Sequence, residues 1–107
     1  DNSRMNNFIF VYITNPTKEV SDRIAVHLLE KRLIACANIF PVDSKFLWKN
    51  KIQRTREWML IAKTQNNKFK KLAEEVKRHH PYEVPVIEKV DADSNAECAK
   101  WLSEELK

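Results

Sequence analysis

The sequence predicts an α+β fold whose elements follow the order β-α-β-β-α-β, with one further helix at the C-terminus. Two observations support this order. Apolar runs rich in β-branched and aromatic residues, such as "FIFVYIT" and "REWMLIAKT", alternate with segments whose apolar residues recur at helical spacing. The chain contains no glycine, and Asn, Asp and Pro mark the breaks between these elements instead.

The first strand and the first helix begin the domain. "FIFVYIT" (8–14) is the strand, and the "NPT" after it ends the strand and begins a helix with Thr17 or Asn15 as its N-cap. Apolar residues at helical spacing continue to about Arg32, where this helix is predicted to end.

A long β2–β3 hairpin fills the middle of the chain. "IACANIFPV" and "KFLW" form its first strand, with a bend at Pro41, and "REWMLIAKT" (56–64) is the return strand. "KNK" (49–51) is a tight reversal in which Asn50 takes the position where glycine is most common.

The last three elements complete the topology. A second helix ends near His79, because Pro81 disfavours helical backbone at His80. "VPVIEKV" is a shorter strand, and Ser94 with Glu97 has the pattern of a capping box at the start of the last helix. The complete order is that of the split βαβ, or ferredoxin-like, fold with one extra helix.

One domain accounts for the chain of 107 residues. Residues 8–107 are predicted to form it. Residues 1–7, "DNSRMNN", are polar and are predicted to be a disordered extension or a remnant of an expression vector, with Met5 as a candidate native start.

The apolar strands predict an oligomer. In a split βαβ domain the helices cover one face of the sheet. Yet the strands at 8–14 and 56–64 are apolar on both faces. An identical sheet is the simplest cover for the second face, which favours a homo-oligomer. The alternative is that the last helix and the loops cover this face by themselves.

Composition excludes several classes of function. Without glycine there is no dinucleotide-binding, P-loop or nucleophile-elbow motif. No serine or cysteine nucleophile is spaced to pair with Glu83 either, so we expect no enzymatic activity. The net charge of +4 is modest and its acidic residues are interspersed, so no nucleic-acid partner is expected. The alternative is that the basic hairpin around Trp48 tracks a phosphate backbone. No apolar run is close to the length of about 20 residues that a membrane-spanning helix needs, so no membrane insertion is expected. The two cysteines form no zinc-site spacing and are fewer than a small secreted domain usually carries, and this low number favours reduced thiols and a cytoplasmic location.

"HHPYEVP" (79–85) is the densest group of chemically active side chains. The side chains of the adjacent residues His79 and His80 point apart whether the backbone is helical or extended. The two residues therefore chelate one ion poorly, although either can supply a single ligand. The alternative is structural, with His79 in the last helical turn and His80 hydrogen-bonded locally. Tyr82 and Glu83 stand between two prolines, and rigid loops of this kind are often sites.

Cys36 is the other candidate ligand. A thiolate beside imidazole suits copper or zinc, whereas the alternative is a small buried hydrophobe. Cys98 has the same alternative. His27, three residues after Ile24 on the first helix, is interpreted as a boundary residue rather than a ligand.

Five segments in this order resemble the CutA family of divalent-ion tolerance proteins: "FVYITNP", "LLEKRLIACANI", "FLWKNKI", "EWMLIAKT" and "HHPYEVP". The similarity runs from about Phe8 to Leu102, and "EKRLIACANI" and "HPYEVP" are its most specific parts. The resemblance implies a ferredoxin-like fold, a tight homotrimer and involvement in tolerance of copper and other divalent cations. In animals, relatives are linked to membrane anchoring of acetylcholinesterase. No catalytic reaction is implied.

The resemblance also implies a cleft between subunits that is suggested to bind a ligand or a metal. Carried over by motif, the metal candidates are Cys36, His80 and Glu83, and the cleft candidates are Trp48, Glu57, Lys63 and Tyr82. No cofactor is obligatory, and Cu²⁺ or another divalent cation is the candidate ion.

The chain departs from the family pattern at two candidate ligands. Asn15 stands where many members have cysteine, so soft-metal binding is expected to be weaker or to use only Cys36. Val86 stands where a glutamate is common, which removes another carboxylate. Two functions therefore stay open. The first is a trimeric metal-tolerance protein that binds divalent cations weakly. The second is a trimeric sensor or adaptor, similar to the PII signalling proteins, that holds a metabolite or anion in the cleft.

Overall fold

The computed structural model describes residues 7–107 and confirms the predicted fold class. Its strands and helices are β1 (Phe8–Asn15), α1 (Lys18–Glu30), β2 (Cys36–Trp48), β3 (Lys51–Gln65), α2 (Phe69–His79), β4 (Ile87–Asp91) and α3 (Ala96–Glu105). Of the predicted N-terminal extension, residues 1–7, only Asn7 is described, and its carbonyl accepts a hydrogen bond from the Asn66 amide. The rest of that prediction lies outside the described residues.

The four described strands form one antiparallel sheet in the order β2-β3-β1-β4. β2 and β3 form the predicted hairpin, in which Cys36 lies opposite Lys63 and Trp48 lies opposite Lys51. β3 begins at Lys51 rather than at residue 56, as the sequence predicts. The added residues are mostly exposed and polar, so they extend the strand by pairing with β2 and not by burial.

α1 and α2 cover one face of the sheet and enclose the main core. The core side chains of β1, β3 and these helices are almost fully buried, among them Ile9, Val11, Ile13, Ile24, Leu28, Leu60, Ala62, Leu72 and Val76. Of the two predicted N-cap candidates, Thr17 rather than Asn15 is the N-cap of α1, and its Oγ1 accepts a hydrogen bond from the Val20 amide across 3.1 Å. None of the helices within residues 7–107 has the length and apolar content that a membrane span needs.

The opposite face of the sheet is only partly covered. Leu102 and Leu106 of α3 pack against Phe8 at one end of this face. Beyond α3, the face carries half-buried and exposed apolar side chains, which we call the open face: Tyr12, Phe40, Met59, Ile61 and Val90. Phe40 is 40% exposed and Val90 is 48% exposed. The last helix therefore covers one end of the second face and leaves the rest uncovered by the described chain.

Residues other than glycine occupy left-handed backbone positions at two chain reversals. Lys49 and Asn50 have φ angles of 51° and 67° in the hairpin turn, which confirms the predicted reversal. Arg32, with φ of 56°, follows the end of α1, and the Leu33 amide donates to the Leu28 carbonyl across 2.9 Å. This is the Schellman arrangement, with arginine where glycine is usual.

The predicted capping box at the start of α3 is not formed. Asn95, rather than Ser94, is the N-cap, and the helix begins at Ala96. Glu97 is therefore the second helical residue and not the third, the position that a capping box requires. Its Oε1 instead accepts a hydrogen bond from the side-chain amide of Asn95 across 3.2 Å.

Candidate functional site

The loop that follows α2 is fixed to the sheet by His80. Pro81 ends the helix, and the backbone of His80 is extended, as predicted. The Nδ1 atom of His80 accepts a hydrogen bond from the Tyr82 amide across 3.1 Å, so its Nε2 carries the proton and donates to the Thr14 carbonyl across 2.8 Å. Burial lowers the pKa of His80. Both ring nitrogens of this neutral imidazole are therefore occupied within the chain.

Tyr82 bonds to a buried carboxylate in the middle of the hairpin. Its Oη donates to Oε2 of Glu57 across 2.6 Å, and Glu57 is only 5% exposed. Burial and, after it, the hydrogen bond to Glu57 raise the pKa of Tyr82 well above its usual range. Tyr82 therefore stays a neutral donor near neutral pH, which suits holding the loop or a ligand rather than transferring protons.

A cleft lies between this loop and the end of the hairpin. Its lining comprises Phe46, Trp48, Tyr82, Glu83 and Val84, and its volume is about 190 Å³. Clefts for drug-sized ligands measure about 300–1,000 Å³, so this cleft is smaller than the usual site for such a ligand. The tertiary structure thus brings together the predicted cleft residues Trp48 and Tyr82, with Glu57 bonded to the latter.

Two larger depressions lie beside α3. One, of about 410 Å³, is lined by polar residues such as Gln65, Lys100 and Ser103. The other, of about 330 Å³, lies between Arg32 and Trp101. Neither contains a predicted site residue, and neither has convergent groups that suit a metal ion or general acid–base chemistry.

Cys36 and Lys63 lie at the other end of the hairpin. They are opposite one another, and Lys63 stands six residues along β3 from Glu57, a separation of about 20 Å in an extended strand. The Nζ atom of Lys63 lies 6.0 Å from the centre of the Phe10 ring. Within one chain, the predicted ligands Cys36, His80 and Glu83 therefore do not surround a common point.

Asn15 occupies a different environment from Cys36. It is fully buried on the helix-covered side of β1, where its Nδ2 donates to the Ser21 hydroxyl across 2.7 Å. Its Oδ1 has no hydrogen-bond partner among the described residues. Cys36 lies on the opposite side of the sheet, opposite Lys63. A cysteine at position 15 would thus not share an ion with Cys36 of the same chain.

A second group of titratable side chains lies between α1 and α2, and sequence reasoning missed it as a group. The Nε2 atom of His27 is 2.7 Å from Oε1 of Glu75, and the ring of His79 packs 4.3 Å from the ring of His27. Glu75 is 2% exposed, and its hydrogen bond with His27 lowers its pKa. The four-residue spacing of Glu75 and His79 was a sequence signal, but the approach of His27 depends on helix packing.

These features define a ferredoxin-like domain with a long hairpin, a cleft beside that hairpin and one partly uncovered sheet face. Residues 9–105 match the family model described as CutA1 divalent ion tolerance protein. The chain therefore belongs to the CutA1 family, as the sequence resemblance indicates.

Individual relatives agree with this assignment. The "Divalent-cation tolerance protein CutA" of Archaeoglobus fulgidus is 43% identical over 96 residues, which cover 89% of this chain and 94% of the relative. The protein of the same name from Thermus thermophilus is also 43% identical over 96 residues, covering 88% and 93%. A solved structure of the Archaeoglobus protein, named as periplasmic, superposes with a TM-score of 0.92 at 40% identity and covers 94% of this chain and 99% of its own.

Proposed function

We propose that this protein acts in the tolerance of divalent metal ions, copper among them, as a homotrimer that binds divalent cations weakly. The observation that carries the proposal is the match of residues 9–105 to the divalent ion tolerance family. Relatives bearing the name of divalent-cation tolerance proteins cover almost the whole chain and support the same role.

The open face supports the homotrimer. An apolar surface of this kind on one side of a sheet is stabilised when another sheet covers it. Tyr12, Met59 and Ile61 of the open face lie on β1 and β3, the two strands that the sequence predicts to be apolar on both faces. Identical chains around a three-fold axis would bury the open face of each and would complete the cleft of about 190 Å³ with residues of a neighbour.

We also propose a cytoplasmic location and the absence of enzymatic activity, and individual side chains support both. Cys36 and Cys98 are free and half-buried, which favours the reducing cytoplasm. The acid–base groups of the cleft are held as a hydrogen-bonded pair, which supports a binding protein without enzymatic activity. No nucleic-acid partner and no obligatory cofactor form part of the proposal.

A second function is favoured by the pairing of Glu57 with Tyr82, which lines the same cleft as Trp48. A phenol, a buried carboxylate and an indole at the edge of a cleft are groups that recognise a small metabolite. On this reading the trimer is a sensor or adaptor similar to the PII proteins, and its ligand lies between subunits.

Two measurements test the first function. Native mass spectrometry with added Cu²⁺ or Zn²⁺ should give a trimer and a rising count of bound ions. Cells that lack their own member of the family should grow in higher copper when they express this chain than when they carry an empty vector. A monomer would contradict the trimer, and unchanged growth across the copper series would contradict the tolerance function.

The second function is tested by thermal unfolding in a panel of metabolites. A stabilising metabolite should lose its effect in Trp48→Ala, which removes the indole from the cleft. The exposed Trp101→Ala is the matched control because it removes an indole near α3, away from the cleft. If both variants respond as the parent chain does, the cleft does not bind that metabolite.

A further inference from the structure

We propose that His27, Glu75 and His79 bind one divalent transition-metal ion between α1 and α2. The candidate ligand atoms of these three side chains all lie within 4.8 Å of one another. Among residues 7–107, this is the group of histidine, cysteine and acidic residues whose geometry suits an ion. The site lies apart from the cleft and includes none of the metal candidates Cys36, His80 and Glu83 that the family resemblance implies.

The geometry of the site follows from two helices. Glu75 and His79 stand four residues apart on α2 and therefore share one face of that helix. His27 comes from α1, in its last turn, and reaches across the helix contact to Glu75. Ligands on two packed helices are held more firmly than ligands on a loop.

The spacing needs only a small adjustment to accept an ion. At metal–ligand bonds of about 2.0–2.1 Å, two tetrahedral ligands are about 3.4 Å apart. His27 Nε2 and Glu75 Oε1 are already 2.7 Å apart because they share a proton. An ion would take the place of that proton, which moves to Nδ1 of a neutral His27 or is released to water from a protonated one, so that His27 binds the ion as neutral imidazole. His79 is exposed and can rotate about its side chain to become the third ligand.

The ligand types select the class of ion. Two imidazoles and one carboxylate suit Zn²⁺, Cu²⁺, Ni²⁺ or Co²⁺, with Cu²⁺ bound most tightly in the usual order of affinities. Mg²⁺ and Ca²⁺ prefer oxygen ligands and would not compete at this site. The exposed side of His79 leaves room for water at a further coordination position.

Three cationic side chains lie near this site and oppose a positive ion. The Nη1 atom of Arg78 is 3.4 Å from Oε2 of Glu75, and the Nη2 atom of Arg23 donates to the His79 carbonyl across 3.4 Å. The positive charge of Lys31 also contributes to lowering the pKa of Glu75. Arg78 contacts the carboxylate oxygen that faces away from His27, so it can remain as a supporting partner when Oε1 binds the ion.

The competing explanation is that His27 and Glu75 simply form an ion pair that joins two helices. That pair accounts for the buried carboxylate, but it does not involve His79. The two explanations differ in what His79 does, so this residue decides the test. His79→Phe keeps a ring against His27 and removes the ligand nitrogen.

The experiment uses the full chain and the metal alone. Zn²⁺ is titrated by calorimetry, and Co²⁺ is titrated by visible absorption, which reports its coordination geometry. We expect one ion per chain, and we expect His79→Phe to weaken binding at least about tenfold, because even the loss of an outer-shell partner of a metal ligand costs about 10–100-fold. His27→Gln should weaken binding as well. Circular dichroism confirms that each variant is folded.

Cys36→Ser and Glu83→Gln are the matched controls because they remove the ligands that the sequence predicts. Unchanged binding in these controls, with loss in His79→Phe, supports the site between the helices. Binding that survives His79→Phe and is lost in Cys36→Ser would overturn it. The absence of any stoichiometric binding of Zn²⁺ or Co²⁺ would also overturn it.

This inference does not rest on the proposed function, since a site can hold an ion whatever the protein does in the cell. Its failure is distinguishable from the failure of the tolerance function. A His79→Phe chain that binds Zn²⁺ as well as the parent contradicts the site alone. Absence of a growth effect in copper by the parent chain contradicts tolerance alone.

Discussion

The hydroxyl of Tyr82 and the carboxylate of Glu57 are joined by a hydrogen bond of 2.6 Å, which ties the loop after α2 to the middle of the long hairpin. Glu57 is a charged residue buried in a strand, and such a group requires a partner. The pair therefore serves two purposes. It satisfies a buried carboxylate, and it positions Tyr82 at the edge of the cleft lined also by Trp48.

Tyr82→Phe should lower the free energy of unfolding by about 1.5–3 kcal/mol, the usual value for a hydrogen bond to a charged group. The ring remains, so the loss reports the hydroxyl and the unpaired Glu57 carboxylate. Urea denaturation measures this change. Tyr12→Phe is the control, because it removes a hydroxyl from the open face without unpairing Glu57. Equal losses in the two variants would show that the Tyr82–Glu57 bond adds no special stability.

Alkaline pH should destabilise the protein through the same residue. Burial and Glu57 raise the pKa of Tyr82 above its ordinary value of 10.0, so the unfolded chain releases this proton first. The stability that this group contributes is complete below the ordinary pKa and declines as pH rises above it. The free energy of unfolding, taken from urea denaturation at a series of pH values between about 9 and 11, should therefore fall more steeply with pH for the parent chain than for Tyr82→Phe. Parallel curves would contradict the raised pKa.

The open face should be the surface on which chains associate. Ile61 lies within it, opposite Tyr12 on one side and Asn38 on the other. Ile61→Lys would bury a charge between chains at a cost of several kcal/mol per chain, and it should shift the trimer to monomers in native mass spectra.

Val26→Lys is the control for this surface, because Val26 is 52% exposed on α1, on the other side of the sheet. It should leave the trimer intact. A trimer that persists in Ile61→Lys at the same protein concentration would place the interface elsewhere.

Glycine should be more stabilising than alanine in the hairpin turn at Asn50, and less stabilising than alanine at Lys51 in the neighbouring strand. Asn50 has φ of 67°, a region in which alanine costs about 1–2 kcal/mol more than glycine, so Asn50→Gly should be more stable than Asn50→Ala by about that amount. Lys51 begins β3, where glycine costs about 0.5–1 kcal/mol relative to alanine. Lys51→Ala should therefore be more stable than Lys51→Gly. Thermal unfolding of the four variants checks the reversal, and the same order at both positions would contradict it.

Local signals in the sequence predicted most of the fold. "NPT" predicted the start of α1 with Thr17 or Asn15 as its N-cap, Pro81 predicted the end of α2, and "KNK" predicted the hairpin turn, because each effect acts within a few residues. The start of α3 was wrong by one position, since Ser94 and Asn95 both suit an N-cap and only the path of the chain selects between them. The length of β3 was underestimated because its first residues are stabilised by pairing with β2 rather than by an apolar pattern.

The site was less predictable. Trp48, Glu57 and Tyr82 were associated through the family resemblance, since no local pattern joins residues so far apart in the chain. Cys36 and His80 were associated in the same way, and within one chain they lie at different positions along the sheet.

The amino-acid sequence by itself determined the order of the elements, the two-sided apolar strands and the membership in a family, because these depend on residue types and their spacing. Tertiary structure alone decided which side chains meet. It placed His27 beside Glu75 and His79, and it used both ring nitrogens of His80 in hydrogen bonds. The physical reason is that a hydrogen bond or a metal site depends on distances of a few ångströms, and helix packing and strand register set those distances between residues that are remote in the chain.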